Sequence, residues 1–295
     1  MTHSDRTDAV FEAFHSLSDE EWLHVLTASV STREVCGVRM PDFPPDDTQR
    51  EIHGHHGEVS IHEAHVFYRE IKAYCAYAGR PVRPVRPETA LLDFGCGWGR
   101  TARLFMKDVR PQSLVSVENT DRFLMAARRA NPFLGFLQAG PVPPLPMVSE
   151  SLDLVTSWST FSHLDEFLSG QWMQEFHRLL KPGGLVVITT QSRRFLAFCA
   201  EQRLRRASGM RLEHPWHEAC ADSFVDEARA NSDFEAGRFL HASSAKPPHF
   251  QAHYGEAIIP RNYVLKAWGG LFRMIEYLDN PVRLPQVLIV LQKIG

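Results

Sequence analysis

Long apolar runs are missing from this sequence. None approaches the roughly 20 residues that span a bilayer, so no membrane insertion is expected. The opening stretch MTHSDRTDAVFEAF is polar and lacks the apolar core of a secretion signal, which makes a cytoplasmic protein the expectation. Cysteine is scarce and scattered. The five residues, Cys36, Cys75, Cys96, Cys199 and Cys220, never form a CxxC pair, so neither a zinc ribbon nor a disulfide framework is expected and the thiols read as reduced. Charge of one sign is also lacking: the net charge is -3 and no helix face is rich in Lys and Arg, which argues against nucleic acid as a partner. No Gly-Lys pair occurs anywhere, and that removes a P-loop.

What is present is enough apolar residue, 44% of 295, to bury one large core with a smaller appended piece. The stretch AGRPVRPVRPETA, Ala78 to Ala90, has prolines at three-residue spacing, which force extended backbone and forbid a helix. It reads as a linker between a helical N-terminal lid over residues 1–80 and a larger domain over 81–295. Within the lid, SDEEWLHVLTASV has Ser18 as N-cap and acids in its first turn, and IHEAHVFYREIKAYCAYA is a second helix.

Beyond the linker, strands and helices alternate. LLDF, SLVSVE, FLGFL, SLDLVTSW and LVVITT read as strands; WGRTARLFMKDV, DRFLMAARRA with Asp121 as cap, and QWMQEFHRLLKPGG closed by Gly183 or Gly184 read as helices. Near-continuous apolar strands joined by helices imply a parallel sheet covered on both faces. From about 193 to 251 the pattern turns helical and polar, an insertion expected to help shape a substrate pocket. RNYVLKAWGGLF then reads as a helix, followed by RMIEYL and QVLIVLQK as two pairing strands. The fold class is therefore α/β, a Rossmann-like sheet that is mostly parallel with an antiparallel C-terminal strand.

LLDFGCGWGR places Gly95, Gly97 and Gly99 on alternate positions at a strand-to-helix turn. Bare backbone there lets N–H groups approach an anionic or polar ligand, with the positive helix end behind them. A dinucleotide fingerprint requires G-x-G-x-x-G, and its third position falls here on Arg100, a large cation where close packing is needed.

The spelling D-x-G-x-G-x-G resembles that of the class I S-adenosylmethionine-dependent methyltransferases, and the resemblance runs from about Leu91 to Ile188. It includes Asp93 and the three glycines, the acid ending VSVENTD, PPLPM with SLDLVTSWSTFSHL, and EFHRLLKPGGLVVIT. The pattern is similar to that of bacterial methyltransferases of surface-glycan or secondary-metabolite pathways. The resemblance implies S-adenosylmethionine as cofactor, with Gly95, Cys96 and Gly97 along its methionine portion and Asp93 orienting the turn or accepting from the amino group. Glu118 would accept from both ribose hydroxyls. Asn119 would lie against the adenine edge. Many relatives place an acid after the third strand to hold the adenine amino group; only Gln138 stands there. Ser159 is assigned to the cofactor side, and Trp158, His253 and Tyr254 to a small-molecule or sugar acceptor. An NAD-dependent oxidoreductase and a non-catalytic adenosylmethionine-binding protein stay open as alternatives.

His163 in STFSHL follows the fourth strand at the carboxyl edge of the sheet. Its ordinary pKa of roughly 6.5 suits a general base that takes a proton from a hydroxyl acceptor; the competing reading is a histidine that packs the loop. Asp153 within LDLV is expected to bond neighbouring backbone. The histidines of HGHHGEVSIHEAH, His53 to His65, do not spell HExxH and read as surface or lid residues with no metal. His249, His253, Tyr254 and Glu256 are further polar candidates for the acceptor pocket.

Overall fold

The computed structural model describes residues 8–77, 84–243 and 253–295. Residues 78–83 of the proline linker, the end of the 193–251 insertion and His249 lie outside the described residues. The chain forms two compact units, one of Met1–Trp158 with Arg178–Val187 and Gly295, the other of Ser159–His177 with Ile188–Ile294.

The first unit begins with helices α1 (Ala9–Phe14) and α2 (Asp19–Ser31), a short hairpin β1 (Glu34–Val35) and β2 (Val38–Arg39), then α3 (Asp46–His53) and α4 (Gly57–Tyr77). Ser18 caps α2 as expected: its hydroxyl accepts from Glu21 N, and the Glu21 carboxylate accepts from Ser18 N in return. Four parallel strands follow with their helices: β3 (Leu91–Phe94), α5 (Arg100–Leu104), β4 (Leu114–Glu118), α6 (Asp121–Ala130), β5 (Gly135–Gln138) and β6 (Leu152–Ser157). Leu91, Leu92, Leu114, Val117, Leu154 and Val155 are buried, as continuous apolar strands covered on both faces require.

Next come α7 (Glu166–Leu179), nearly all of it in the second unit, and β7 (Leu180–Thr190), which runs from the first unit into the second, followed by the remaining elements of the second unit. The insertion supplies α8 (Arg194–Ala207), α9 (Pro215–Asp222) and α10 (Glu227–Glu235), and ends in strand β8 (Leu240–Ser243), which pairs with β9 (Gly255–Ile258). Helix α11 (Arg261–Ala267) leads to the antiparallel pair β10 (Phe272–Leu278) and β11 (Val287–Lys293). The seven-stranded order is β10-β11-β7-β6-β3-β4-β5, the mostly parallel sheet with an antiparallel C-terminal strand that the sequence implies.

Four local expectations change. The helix after the glycine turn stops at Leu104 and tightens into a 3₁₀ turn at Phe105–Lys107. Asp121 is the first residue of α6 and not its cap; Thr120 holds the cap position without a side-chain bond. Gly183 and Gly184 do not close a helix, because α7 ends at Leu179 and both lie inside β7. A Cβ on Gly184 would stand 3.1 Å from the Asp153 carbonyl oxygen, so the glycine serves close strand packing. Finally, the insertion is helical only as far as Glu235.

Asp153 does bond backbone: its Oδ2 accepts from Ala90 N at 2.9 Å, while Oδ1 meets Lys181 Nζ at 2.8 Å. The N-terminal helices are fastened to the first unit by a half-buried charge cluster. Lys107 Nζ lies 2.9 Å from both Asp19 and Asp108, Lys72 Nζ 3.0 Å from Asp108, and the Tyr68 hydroxyl donates to Asp108. Trp22 Nε1 adds a 2.8 Å bond to Leu104 O. Burial works to raise Asp19, but hydrogen bonds and charge from Lys72 and Lys107 hold its carboxyl down to about 2.

Removing one partner of a buried ion pair strands the other charge. Lys107→Ala is therefore expected to cost about 3 kcal/mol in urea unfolding. Because the folded pKa of Asp19 is depressed, its contribution is present at neutral pH and is lost as pH falls from about 4 toward 2. Asp19→Asn should flatten that part of the stability profile, and an unchanged slope would assign the acid limb to other groups.

Candidate functional site

The chain turns at the end of β3 with Gly95 at φ +70°, Gly97 at +55° and Gly99 at +83°, the left-handed region that an L side chain resists. The Gly95 and Cys96 N–H groups both donate to Val117 O, which ties the turn to β4. Gly97 N donates to Glu118 Oε2 at 2.9 Å. The other oxygen, Oε1, accepts from Asn119 N at 3.0 Å and Thr120 N at 2.9 Å. One buried carboxylate thus gathers the turn after β3 and the turn after β4. Burial pushes Glu118 above the ordinary carboxylate range, and these N–H bonds oppose the push.

Asp93 is buried beneath the turn and its Oδ2 has no hydrogen-bond partner. Burial raises its carboxyl to about 7, against the Ala102 N–H and the Arg100 charge. Arg100, the residue that spoils the dinucleotide fingerprint, is buried and turned toward the N-terminal arm. Its Nη1 lies 2.5 Å from Glu63 Oε2 and 3.2 Å from Ser60 O, both on α4. The guanidinium also stands 5.4 Å from the Trp158 ring, against whose indole Phe67 packs edge-on at 4.6 Å. Asn119 and Gln138 are exposed at the strand ends; Asn119 Oδ1 accepts from Thr120 Oγ1, and Gln138 donates to Asp121.

The histidine stretch lies on the N-terminal arm, with His55 and His62 exposed and two other rings turned inward. His65 is buried on α4, and the His53 ring lies 6.2 Å from Trp98 with its Nε2 enclosed and without a partner. Ile52 and His53 rest on the open side of Gly97, where a Cβ would be 2.7 Å from Ile52 Cγ2 and 3.2 Å from His53 Cε1. The sequence gives no cue to this contact, because DDTQREIH is polar and lacks the pattern of a buried helix.

In the second unit, Ser159 is a non-glycine residue at φ +59°. Its N–H donates to Thr189 Oγ1 at 2.8 Å, and its hydroxyl meets Ser162 Oγ at 3.0 Å and accepts from Gln286 Nε2 at 2.9 Å. His163 stacks on Tyr254, centroids 5.0 Å apart. Its Nδ1 lies 2.8 Å from Gly255 O and 3.5 Å from Glu256 Oε1. A carbonyl only accepts, so Nδ1 carries the proton and Nε2 keeps its lone pair. Burial alone would lower the His163 pKa; the Glu256 charge and hydrogen bond, with the Gly255 carbonyl, outweigh it and raise the pKa. Glu256 is itself buried and accepts from Trp216 Nε1 at 2.6 Å. His253 pairs with Asp165 at 2.5 Å and stands apart from this bond network.

The methyltransferase domain family matches residues 92–188, the segment from β3 to β7. No curated protein matches the sequence. A putative S-adenosylmethionine-dependent methyltransferase from Listeria monocytogenes shares the fold at a TM-score of 0.50 and 14% identity, over 79% of this chain and 100% of that one. An S-adenosylmethionine-dependent methyltransferase from Mesorhizobium loti aligns at a TM-score of 0.45 and 14% identity, over 72% and 95% of the two chains. The fold is thus that of the class I methyltransferases. Residues 92–188 match the methyltransferase-domain family, so the chain carries a methyltransferase domain, and S-adenosylmethionine is the cofactor named for the similar structure from Listeria monocytogenes.

The residues at the turn suit such a ligand. Gly95 and Gly97 offer bare backbone, the unpartnered Asp93 Oδ2 is free to accept, and the Glu118 carboxylate stands at the same turn.

Glu118→Ala is expected to weaken adenosylhomocysteine binding by about 1.5 to 3 kcal/mol, the range for hydrogen bonds to a charged group. It should also lower the melting temperature, since three backbone donors lose their acceptor. Calorimetric titration and a thermal melt of one variant check both. A lower melting temperature with unchanged affinity would leave Glu118 a purely structural carboxylate.

Proposed function

We propose that the enzyme transfers the methyl group to a hydroxyl of a small-molecule or sugar acceptor, with His163 as the general base. The observation that carries the reading is the tautomer: Gly255 O and Glu256 occupy Nδ1, so Nε2 is presented as the acceptor nitrogen. Bound S-adenosylmethionine supplies a methyl on a sulfonium, an electrophile that needs alignment more than further activation. The deprotonation of the acceptor then falls to the protein. A hydroxyl is a poor nucleophile while it keeps its proton, and a base near the working pH contributes typically 10²- to 10⁴-fold.

Glu256 is placed to stabilise the imidazolium that forms when His163 takes the proton. The Trp216 indole holds the carboxylate in that orientation, and Tyr254 supports the imidazole face. His163 lies six residues past the end of β6 in the chain, and in open α/β sheets ligands gather at the carboxyl ends of the strands. The cofactor side belongs in this reading to Asp93, Gly95, Cys96, Gly97, Glu118, Asn119, Gln138 and Ser159, and the acceptor side to Trp158, His253 and Tyr254. The choice of a glycan-type acceptor rests on the sequence resemblance.

Adenosylhomocysteine release, measured over a panel of sugar and phenolic acceptors, is expected to fall by about 10²- to 10⁴-fold in kcat for His163→Ala at saturating cofactor. The base must be neutral, and its pKa is raised. Turnover in the unaltered protein should therefore decline as pH falls through a value above roughly 6.5, and Glu256→Gln should move that limb to lower pH. A His163→Ala enzyme with full turnover and an unshifted profile would make the residue a packing histidine.

A further inference from the structure

The open side of Gly97 is already covered by another part of the chain. A Cβ there would meet Ile52 Cγ2 at 2.7 Å, His53 Cε1 at 3.2 Å and His53 Nε2 at 3.4 Å. Glycine is the one residue type that lets another atom come this near the turn, and here the near atoms come from the end of α3. They stand where bare backbone would otherwise meet a ligand.

The way α3 is held marks it as a removable piece. It has eight residues, too few for a helix to persist alone in water. Ahead of it lie Pro44 and Pro45, and behind it Gly54 at φ +77° and Gly57 at φ +60°. A Cβ on Gly54 would touch nothing within 4 Å, so space is left at this bend. One residue of α3, Gln49, is well buried: its amide donates to Pro44 O at 2.7 Å, just ahead of the helix, and its carbonyl accepts from Gly57 N at 3.1 Å, the first residue of α4, a bond that spans Gly54 and has to open when the helix moves. Beyond the helix, Asp46 and Arg50 reach the His56 ring at 3.0 and 2.8 Å and Glu51 pairs with Arg122, exposed interactions that contribute little in water. What remains is the wedge of Ile52 and His53. There the imidazole is enclosed with an unpartnered Nε2, kept neutral by burial and by the Arg100 charge. An enclosed polar atom without a partner disfavours the closed position. Such an element belongs to the low-stability end of a fold.

We propose that α3 is a gate on the cofactor site: Ile52 and His53 hold the space beside Gly97 in the free protein, and the helix swings out about Gly54 when S-adenosylmethionine binds. The inference rests on the assignment of the Gly95–Gly97 turn to the cofactor. A gate lowers the apparent affinity by the fraction of molecules that are closed, so weakening the wedge raises affinity even though the ligand gains no contact.

Hydrogen exchange and calorimetry with adenosylhomocysteine test this without turnover. Ligand should slow exchange at the amides of Gly95 to Gly97 and speed it at Gln49 to Gly54. Ile52→Ala and, separately, His53→Ala should bind adenosylhomocysteine about 3- to 10-fold more tightly than the unaltered protein. If ligand slows exchange at Gln49 to Gly54 and both variants bind more weakly, α3 is a fixed wall and the gate is refuted. Unchanged affinity in both variants refutes it equally. A separate failure is visible too: binding that leaves the Gly95 to Gly97 amides unprotected would remove the turn from the site, and the gate with it.

Discussion

The first unit depends on the carboxylate of Glu118. Four parallel strands bring their ends together, but strand ends expose N–H groups that must find acceptors. Glu118 takes those of Gly97, Asn119 and Thr120, and so fixes the turn after β3 against the turn after β4. A neutral side chain of the same length could not accept three such bonds with two oxygens. The cost is a buried charge, and the same three donors offset part of it.

Around this anchor the N-terminal arm is built into the first unit. Arg100 reaches Glu63 and Ser60, the Lys107 cluster reaches Asp19, and Trp22 reaches the end of α5. These contacts give different parts of the arm unequal holds. Helices α2 and α4 are fixed by buried charge and aromatic packing, whereas α3 has a two-residue wedge, the bonds of Gln49 to its flanks and exposed polar pairs. The difference makes motion of α3 alone a physical possibility, with its neighbours left in place. In the second unit the analogous economy is the Trp216–Glu256–His163 series, in which each polar group fixes the orientation of the next.

Much of this was legible in the sequence, for reasons that differ from element to element. The strands could be read because a parallel sheet buried on both faces demands unbroken apolar runs, and LLDF and LVVITT are such runs. The glycine turn, Glu118 and the order of elements from β3 to β7 could be read because their spacing follows the family resemblance and not local propensity. Helix ends were read less well. Gly183 and Gly184 looked like a helix stop, yet Gly184 is needed for close approach to the Asp153 carbonyl, a tertiary fact. The Ile52–His53 wedge had no signal at all, since one isoleucine in a polar octet makes no periodicity. Arg100 could be seen as wrong for a dinucleotide turn, but its partner Glu63 lies 37 residues earlier and no pattern joins them.

The central claim is that this chain binds S-adenosylmethionine at the turn that Glu118 organises. The most direct measurement is a titration with adenosylhomocysteine followed by amide NMR, with NADH as the control ligand. The account predicts saturable shifts at Gly95, Gly97 and Asn119 with a dissociation constant in the micromolar range, roughly -8 kcal/mol, and none with NADH. Equal responses to both ligands, or adenosylhomocysteine binding that leaves those three amides unmoved, would contradict it.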